Sequence, residues 1–462
     1  MANKRNLGIL ITVGVATLLS SMTNSVTNTV LPLIARHLHL SIGLASWINL
    51  IYLVVLIVLL LPAGRLTDLA DRRLIAAGGF GLFGVASVAA ALSHSLPALL
   101  AARGVTAVAG ALLLSAGPAV LTAAFPAEER GAALGWQALM TYLGLAVGPI
   151  LGGWLAQSAG WPAIFWMAVP LAALGAGMAL AFIPGGAPGI SKRFDSMGSV
   201  TFMAAMVSLT LMMNPSVYAG RTGAFLIVLA PLVLVSGFGF IRLQQRIRDP
   251  LIDLRLFRSR NYRYGTLGAM INYLCFFVAL FLLPFYLSRV LGWTVGRVGL
   301  VLTIMPAFMM VLAPWAGRMS DRWGARGLAS VGMAANVLGL ALFALAADWR
   351  GAAGALLVAG LVCMGAGTGL FAAPNNAAIM KAAPAEKQGV ASGTLATARY
   401  VGMVAGTTLG SSVFHLLRSA LRTGPAFSAA FLWVMVIGAL FGVVGLGFTL
   451  SMERSARAGR AA

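Results

Sequence analysis

Gly64-Arg65-Leu66-Thr67-Asp68 leads into Arg72-Arg73, and Gly317-Arg318-Met319-Ser320-Asp321 leads into Arg322 and Arg326. A glycine, an arginine, a hydroxyl residue and an aspartate thus recur in one order, 253 residues apart. Upstream of each stretch an apolar run carries Leu-Pro near its end, at Pro32 and Pro284, which lie 252 residues apart. Two separate landmarks at nearly the same offset argue for a duplicated unit rather than for chance.

Working outward from these stretches, the chain is almost entirely apolar. Of its 462 residues 60% are hydrophobic and 9% charged, where a soluble domain carries about 25% charged residues. That deficit excludes a large soluble enzyme, a disordered chain and a disulfide-stapled module. The two cysteines, Cys275 and Cys363, each sit inside an apolar run, with no metal-ligand spacing around them. A spanning helix needs roughly 20 apolar residues. Such segments are predicted at 8–33, 43–63, 74–94, 97–124, 132–156, 162–183, 197–215, 222–241, 264–288, 298–317, 327–346, 352–379, 390–415 and 425–450. Residues 131–191 contain no Asp, Glu, Lys or Arg, and Ser158-Ala159-Gly160-Trp161-Pro162 breaks them into two helices. The shortest segment, 197–215, ends in Asn214-Pro215. The expected fold class is an all-α integral membrane protein with 14 spans. It divides into an N-terminal six-helix bundle (1–190), two inserted helices (191–245) and a C-terminal six-helix bundle (246–462).

The net charge of +21 reads as topology rather than as a nucleic-acid surface. With Lys4 and Arg5 placed inside, the inner segments hold 23 of the 32 Lys and Arg residues and the outer segments hold seven. This is the asymmetry of the positive-inside rule. It places both termini in the cytoplasm and the chain in the cytoplasmic (inner) membrane as a multi-pass protein. No small-residue cleavage site follows the first segment, so that segment is read as retained.

Two cations, Arg103 and Arg399, fall inside predicted spans. A charge there costs at least about 2.5 kcal/mol and needs a partner, a wet cavity or a role. The other polar residues of the spans are uncharged. Asn24 and Asn28 share a helical face near Thr23 in the first segment. Gln137 lies in the fifth segment, Asn272 and Tyr273 in the ninth, and Asn375 and Asn376 in the twelfth. With the two arginines they are the candidate substrate-binding residues. No Ser/His/Asp set, His-x-x-x-His pair or paired carboxylates fall within the spans, which argues against a membrane-embedded enzyme. No motif calls for a cofactor or metal. Transporters built from parallel repeats place substrate near the midplane between halves that rock against each other.

Four motifs in order resemble the major facilitator superfamily, specifically its fourteen-helix drug:proton antiporter branch. They are Gly64-x-Leu66-x-Asp68-x-x-x-Arg72-Arg73, Arg103 in the fourth segment, Gly144-x-x-x-Gly148-Pro149-x-x-Gly152-Gly153 in the fifth, and Pro250-Leu251-Ile252-Asp253-Leu254-Arg255-Leu256-Phe257. The resemblance implies the major facilitator fold and export of hydrophobic or amphiphilic small molecules by alternating access, with a proton as coupling ion. It implies gating roles for Gly64, Asp68, Arg72, Arg73, Gly317, Arg318 and Asp321. It also implies an antiporter motif at Gly144, Gly148, Pro149, Gly152 and Gly153. The partners expected are a small-molecule substrate and the lipid bilayer, with no nucleic acid, and a single chain suffices for a pathway. The chain departs from the family pattern in three places, one of them Thr106 and Ala107 of the fourth segment, where Gln and Gly are usual. Asp71 stands where a glycine is usual, and Thr23 stands where the first helix usually carries an aspartate. All eleven acids fall in loops or at segment ends. That absence opens the alternative of a lipid, amphiphile or anion transporter, or a facilitator, without proton coupling.

Overall fold

The computed structural model describes residues 4–126, 129–186, 195–213, 222–247, 250–384, 387–420 and 426–453. Asn214 and Pro215 lie outside the described residues, as do the basic loop residues Lys192, Arg193, Arg221, Arg248, Arg422, Arg454, Arg457 and Arg460.

The chain forms sixteen described α-helices: α1 (Lys4–His37), α2 (Ile42–Leu69), α3 (Arg72–Ala91), α4 (Leu96–Ala124), α5 (Arg130–Ala159), α6 (Ala163–Trp166), α7 (Ala168–Phe182), α8 (Ser196–Met212), α9 (Thr222–Arg246), α10 (Arg260–Arg289), α11 (Val295–Leu302), α12 (Ile304–Trp323), α13 (Ala325–Asp348), α14 (Ala353–Ala382), α15 (Gln388–Ala420) and α16 (Ala426–Leu450). Helix α6 continues into α7, and α11 into α12, so each pair makes one span. Thirteen described spans are long and apolar enough to cross a membrane, and the helix at Met197–Met212 is apolar but shorter. The chain is an all-α, multi-pass membrane protein. Only helices and closed barrels satisfy their backbone hydrogen bonds within lipid.

Helix starts follow local chemistry. Ser41 caps α2 through the N–H of Leu44, Asp71 caps α3 through that of Arg73, and Thr294 caps α11 through that of Arg297. Gly160 takes φ +81° at the end of α5, inside the predicted Ser158–Pro162 break.

The helices gather into two compact units. The first comprises residues 1–207 with 287–303, and the second 208–286 with 304–462. In the first, α1 packs on α5, α2 on α4, and α3 on α4 and α7. Phe80 of α3 fills the space that Gly175 leaves on α7, and α11 lies against α5. In the second, α13 packs on α14 and α16, and α12 packs on α14. Among the described spans, α10 is the most enclosed and α9 the least. Tyr286 of α10 stacks on Phe431 of α16 at 4.3 Å and donates to the Ala346 carbonyl of α13 at 3.1 Å.

The duplication is visible in a shared hydrogen bond. Thr67 Oγ1 donates to the Gly64 carbonyl at 2.6 Å, and Ser320 Oγ donates to the Gly317 carbonyl at 2.7 Å. Each repeat therefore ends its second span with a hydroxyl folded back on the glycine three residues earlier.

Candidate functional site

In the first unit the polar residues of α1 mostly satisfy themselves. Thr12, Thr17, Ser20, Thr27 and Thr29 return their hydroxyls to the carbonyl four residues back. Thr23 is buried and its carbonyl accepts from Thr27. The amides behave differently. Asn28 Nδ2 donates to the Asn24 carbonyl at 3.4 Å, and Asn28 Oδ1 accepts from Asn49 Nδ2 of α2 at 2.6 Å. Asn24 Oδ1 and Asn49 Oδ1 are buried without partners among the described residues.

One residue before Asn49, the Ile48 carbonyl accepts from Arg103 Nε of α4 at 3.2 Å. The Arg103 guanidinium carbon lies 4.6 Å from the centre of the Tyr52 ring, and the residue is 0% exposed. Its Nη1 and Nη2 have no described partner. Complete burial means that the Arg103 side chain does not reach out to the membrane surface. The sequence brought forward Asn24, Asn28 and Arg103 but passed over Asn49 and Tyr52. A lone asparagine in the run 43–63 was the available signal, because a buried amide in lipid seeks a partner.

In the second unit, Arg399 Nη2 of α15 donates to Asn376 Oδ1 of α14, and its guanidinium carbon stands 5.7 Å from the ring centre of Tyr273 of α10. These three are brought together. Next to them in sequence, Asn375 donates to the Gly265 carbonyl at 3.0 Å with Oδ1 unpartnered. Asn272 is fully buried, and neither of its polar atoms has a described partner. A further buried amide that sequence reading missed, Asn336 of α13, accepts from Thr368 at 3.4 Å. Gln137, half-buried on α5, sits against Gly117 of α4.

The glycine motif of α5 lets backbones meet on two sides. A Cβ at Gly144 would lie 2.7 Å from the Leu18 carbonyl, one at Gly148 3.0 Å from Ser25 Cβ, and one at Gly152 2.9 Å from Val26 Cγ1, all on α1. A Cβ at Gly153 would lie 2.7 Å from the Val295 carbonyl at the start of α11. Pro149 is buried and has no N–H for the Leu145 carbonyl, which accepts from Ser25 Oγ of α1 at 3.0 Å instead, and the Ala146 carbonyl accepts from Thr303 Oγ1 at 3.1 Å.

At the α2–α3 turn, Arg72 donates to the Thr67 and Ala119 carbonyls at 3.4 and 3.3 Å. Arg73 Nε is buried without a described partner, and Arg318 is exposed. The side chains of Asp68 and Asp321 lie outside the described residues, as do those of Arg65 and Arg322. The neighbouring Asp71 supplies the described carboxylate of this turn. It caps α3 and accepts from the Gly186 N–H at 3.0 Å, tying the turn to the segment after α7. The Gly186 hydrogen bond is the main cause holding this carboxyl below its usual range.

The comparisons with known proteins fit this architecture. A sequence model of the Major Facilitator Superfamily matches residues 13–407, and again 265–461. The chain belongs to that superfamily. Among its relatives, the riboflavin transporter RibZ of Clostridioides difficile (strain 630) is 30% identical over 416 residues, 88% of each chain. The tetracenomycin C resistance and export protein of Streptomyces glaucescens is 32% identical over 427 residues, 90% of this chain and 77% of that one. A crystal structure of a POT family transporter in complex with a thioalcohol-conjugated peptide has a TM-score of 0.72 at 16% identity, covering 96% of both chains, which speaks to the fold alone. This major facilitator protein is a membrane transporter of small molecules, and its relatives are transporters rather than enzymes.

Proposed function

We propose that this chain exports hydrophobic or amphiphilic, drug-like molecules across the cytoplasmic membrane by alternating access coupled to proton antiport. In this reading it belongs to the fourteen-helix drug:proton antiporter branch. Both termini are cytoplasmic, the bundles 1–190 and 246–462 flank the inserted helices 191–245, and one chain suffices. The observation that carries the reading is the glycine face of α5. Gly144, Gly148 and Gly152 set α5 close against the backbone and short side chains of α1, and Gly153 sets it on the backbone of α11. Helices in contact through backbone can shift between two packings without unlocking large side chains. The similarity to an antibiotic export protein supports the direction of transport.

A second reading, transport without proton coupling, is favoured by one feature. Every described Asp and Glu lies in a loop or within the last turn of a helix, so among the described residues no carboxylate stands in the middle of a span. The test is dye transport in proteoliposomes carrying the full chain under an imposed pH gradient. Accumulation against the dye gradient, collapsed by a protonophore, supports antiport. Transport that ignores the pH gradient supports the second reading, and dye movement no faster than in empty liposomes overturns both.

A further inference from the structure

Arg399 has no carboxylate partner among the described residues. Its one described hydrogen bond goes to a neutral amide oxygen, that of Asn376. The protein's described ion pair lies elsewhere, between Lys387 and Asp253. Arg399, Asn376 and Tyr273 come from three helices, and all three are only part-buried. Behind them, Asn375 and Asn272 are fully buried.

The hydrogen-bonding capacity left over has one sign. A guanidinium offers five N–H donors and no acceptor, and one donor is spent on Asn376. Asn376 spends its oxygen on Arg399, which leaves its amide N–H groups. The free edge of the pair is therefore donor-only and cationic. Tyr273 adds an aromatic face and a phenol with no described partner. A planar guanidinium pairs with a carboxylate through two parallel bonds and stacks on aromatic rings. A cationic group would meet repulsion from Arg399 here, and among the described residues no carboxylate pairs with that arginine to offset it.

We infer that Arg399, Asn376 and Tyr273 form a recognition site for a planar aromatic oxyanion, a carboxylate or phenolate, so that aromatic organic acids are among the substrates. The inference rests on reading these residues as substrate-facing, as proposed above.

The experiment measures equilibrium dialysis of 2-naphthoate and its neutral isostere 2-naphthamide with the full chain in lipid nanodiscs. Empty nanodiscs supply the blank. Two charge-assisted hydrogen bonds correspond to roughly a tenfold or greater preference for the acid. Arg399→Gln removes that preference and leaves naphthamide binding within about twofold. Arg399→Gln could also disturb packing, so Asn376→Asp supplies a second route. It keeps the cation, places an internal carboxylate against it and abolishes naphthoate binding by occupying the donors. Equal binding of the two probes by the native chain overturns the inference, as does a preference that survives both substitutions. Dye transport is read on the same protein reconstituted into proteoliposomes. A native chain that transports dye but binds the two probes equally overturns this inference alone. A naphthoate preference without transport overturns the export reading alone.

Discussion

Lys387 Nζ lies 2.5 Å from Asp253 Oδ2 and joins the segment before α10 to the start of α15. Asp253 also accepts from the Arg255 N–H at 2.9 Å, which caps the 3-10 turn at Leu254–Arg258, and Gln244 Oε1 accepts from the neighbouring Ile252 N–H at 3.1 Å. Burial is the largest single influence on this carboxyl and pushes its pKa up. The hydrogen bonds from Lys387 and Arg255 and their charges together outweigh it, so the net shift is downward. A depressed pKa means stability that is present above the usual carboxylate range and lost as pH falls through the folded value. Asp253→Ala is expected to destabilise the protein by about 1–3 kcal/mol at neutral pH, seen as a lower melting temperature in detergent. The gap from wild type should narrow as the buffer is taken below about pH 4. A gap that is constant with pH would point to packing instead.

The α5 motif yields a prediction with a built-in control. Gly144→Ala forces a Cβ to 2.7 Å from the Leu18 carbonyl, and main chain cannot move aside as a flexible side chain can. A loss of roughly 1–3 kcal/mol is expected together with a clear fall in transport rate. Gly135, on the same helix and more than two turns earlier, has nothing within 4 Å of its Cβ position. Gly135→Ala should leave the melting temperature and transport near wild type. Similar losses for both would show that helix α5 is sensitive to any added methyl group and that the close approach to α1 is not special.

Much of this fold was legible in the chain, for a physical reason. Lipid imposes span length and charge asymmetry on sequence directly, so the segment read at 97–124 became Leu96–Ala124 and 132–156 became Arg130–Ala159. The repeat at Gly64 and Gly317 was legible because the same turn chemistry serves both copies. Partnerships across helices were less so. Asn49 meets Asn28 from 21 residues away, and Thr303 meets Ala146 from 157 away. No periodicity encodes which face of one helix meets which face of another. Asp71 read as a departure from the family pattern because one of its two partners, Gly186, lies beyond the far end of α7.

That cap is testable. Asp71→Ala removes the acceptor for both Arg73 and Gly186, whereas Asp71→Asn keeps an oxygen that can still cap. The expected order of melting temperature at neutral pH is wild type, then Asn, then Ala. Because the carboxyl sits below its usual range, the difference between wild type and Asn should disappear in acid, once Asp71 is itself protonated. An Ala variant that melts with wild type would show that the two bonds contribute nothing to holding the turn.

Arg103 sets stability against function. Its guanidinium is fully buried, held by one carbonyl and the face of Tyr52, with two nitrogens that have no partner among the described residues. A buried charge without an ionic partner is a standing cost, and apolar replacements of similar volume at buried charged sites are often neutral or stabilising by about 1–4 kcal/mol. Arg103→Met is therefore expected to leave the melting temperature unchanged or raise it. If the cation is retained for transport, the same variant should lose at least roughly tenfold in rate, about 1.4 kcal/mol of barrier. Arg103→Lys keeps the charge but not the geometry of the guanidinium over Tyr52, and should recover only part of that rate. Melting curves and dye transport on one set of proteoliposome preparations decide the matter. A Met variant that is destabilised and still transports at the native rate would make Arg103 a packing residue.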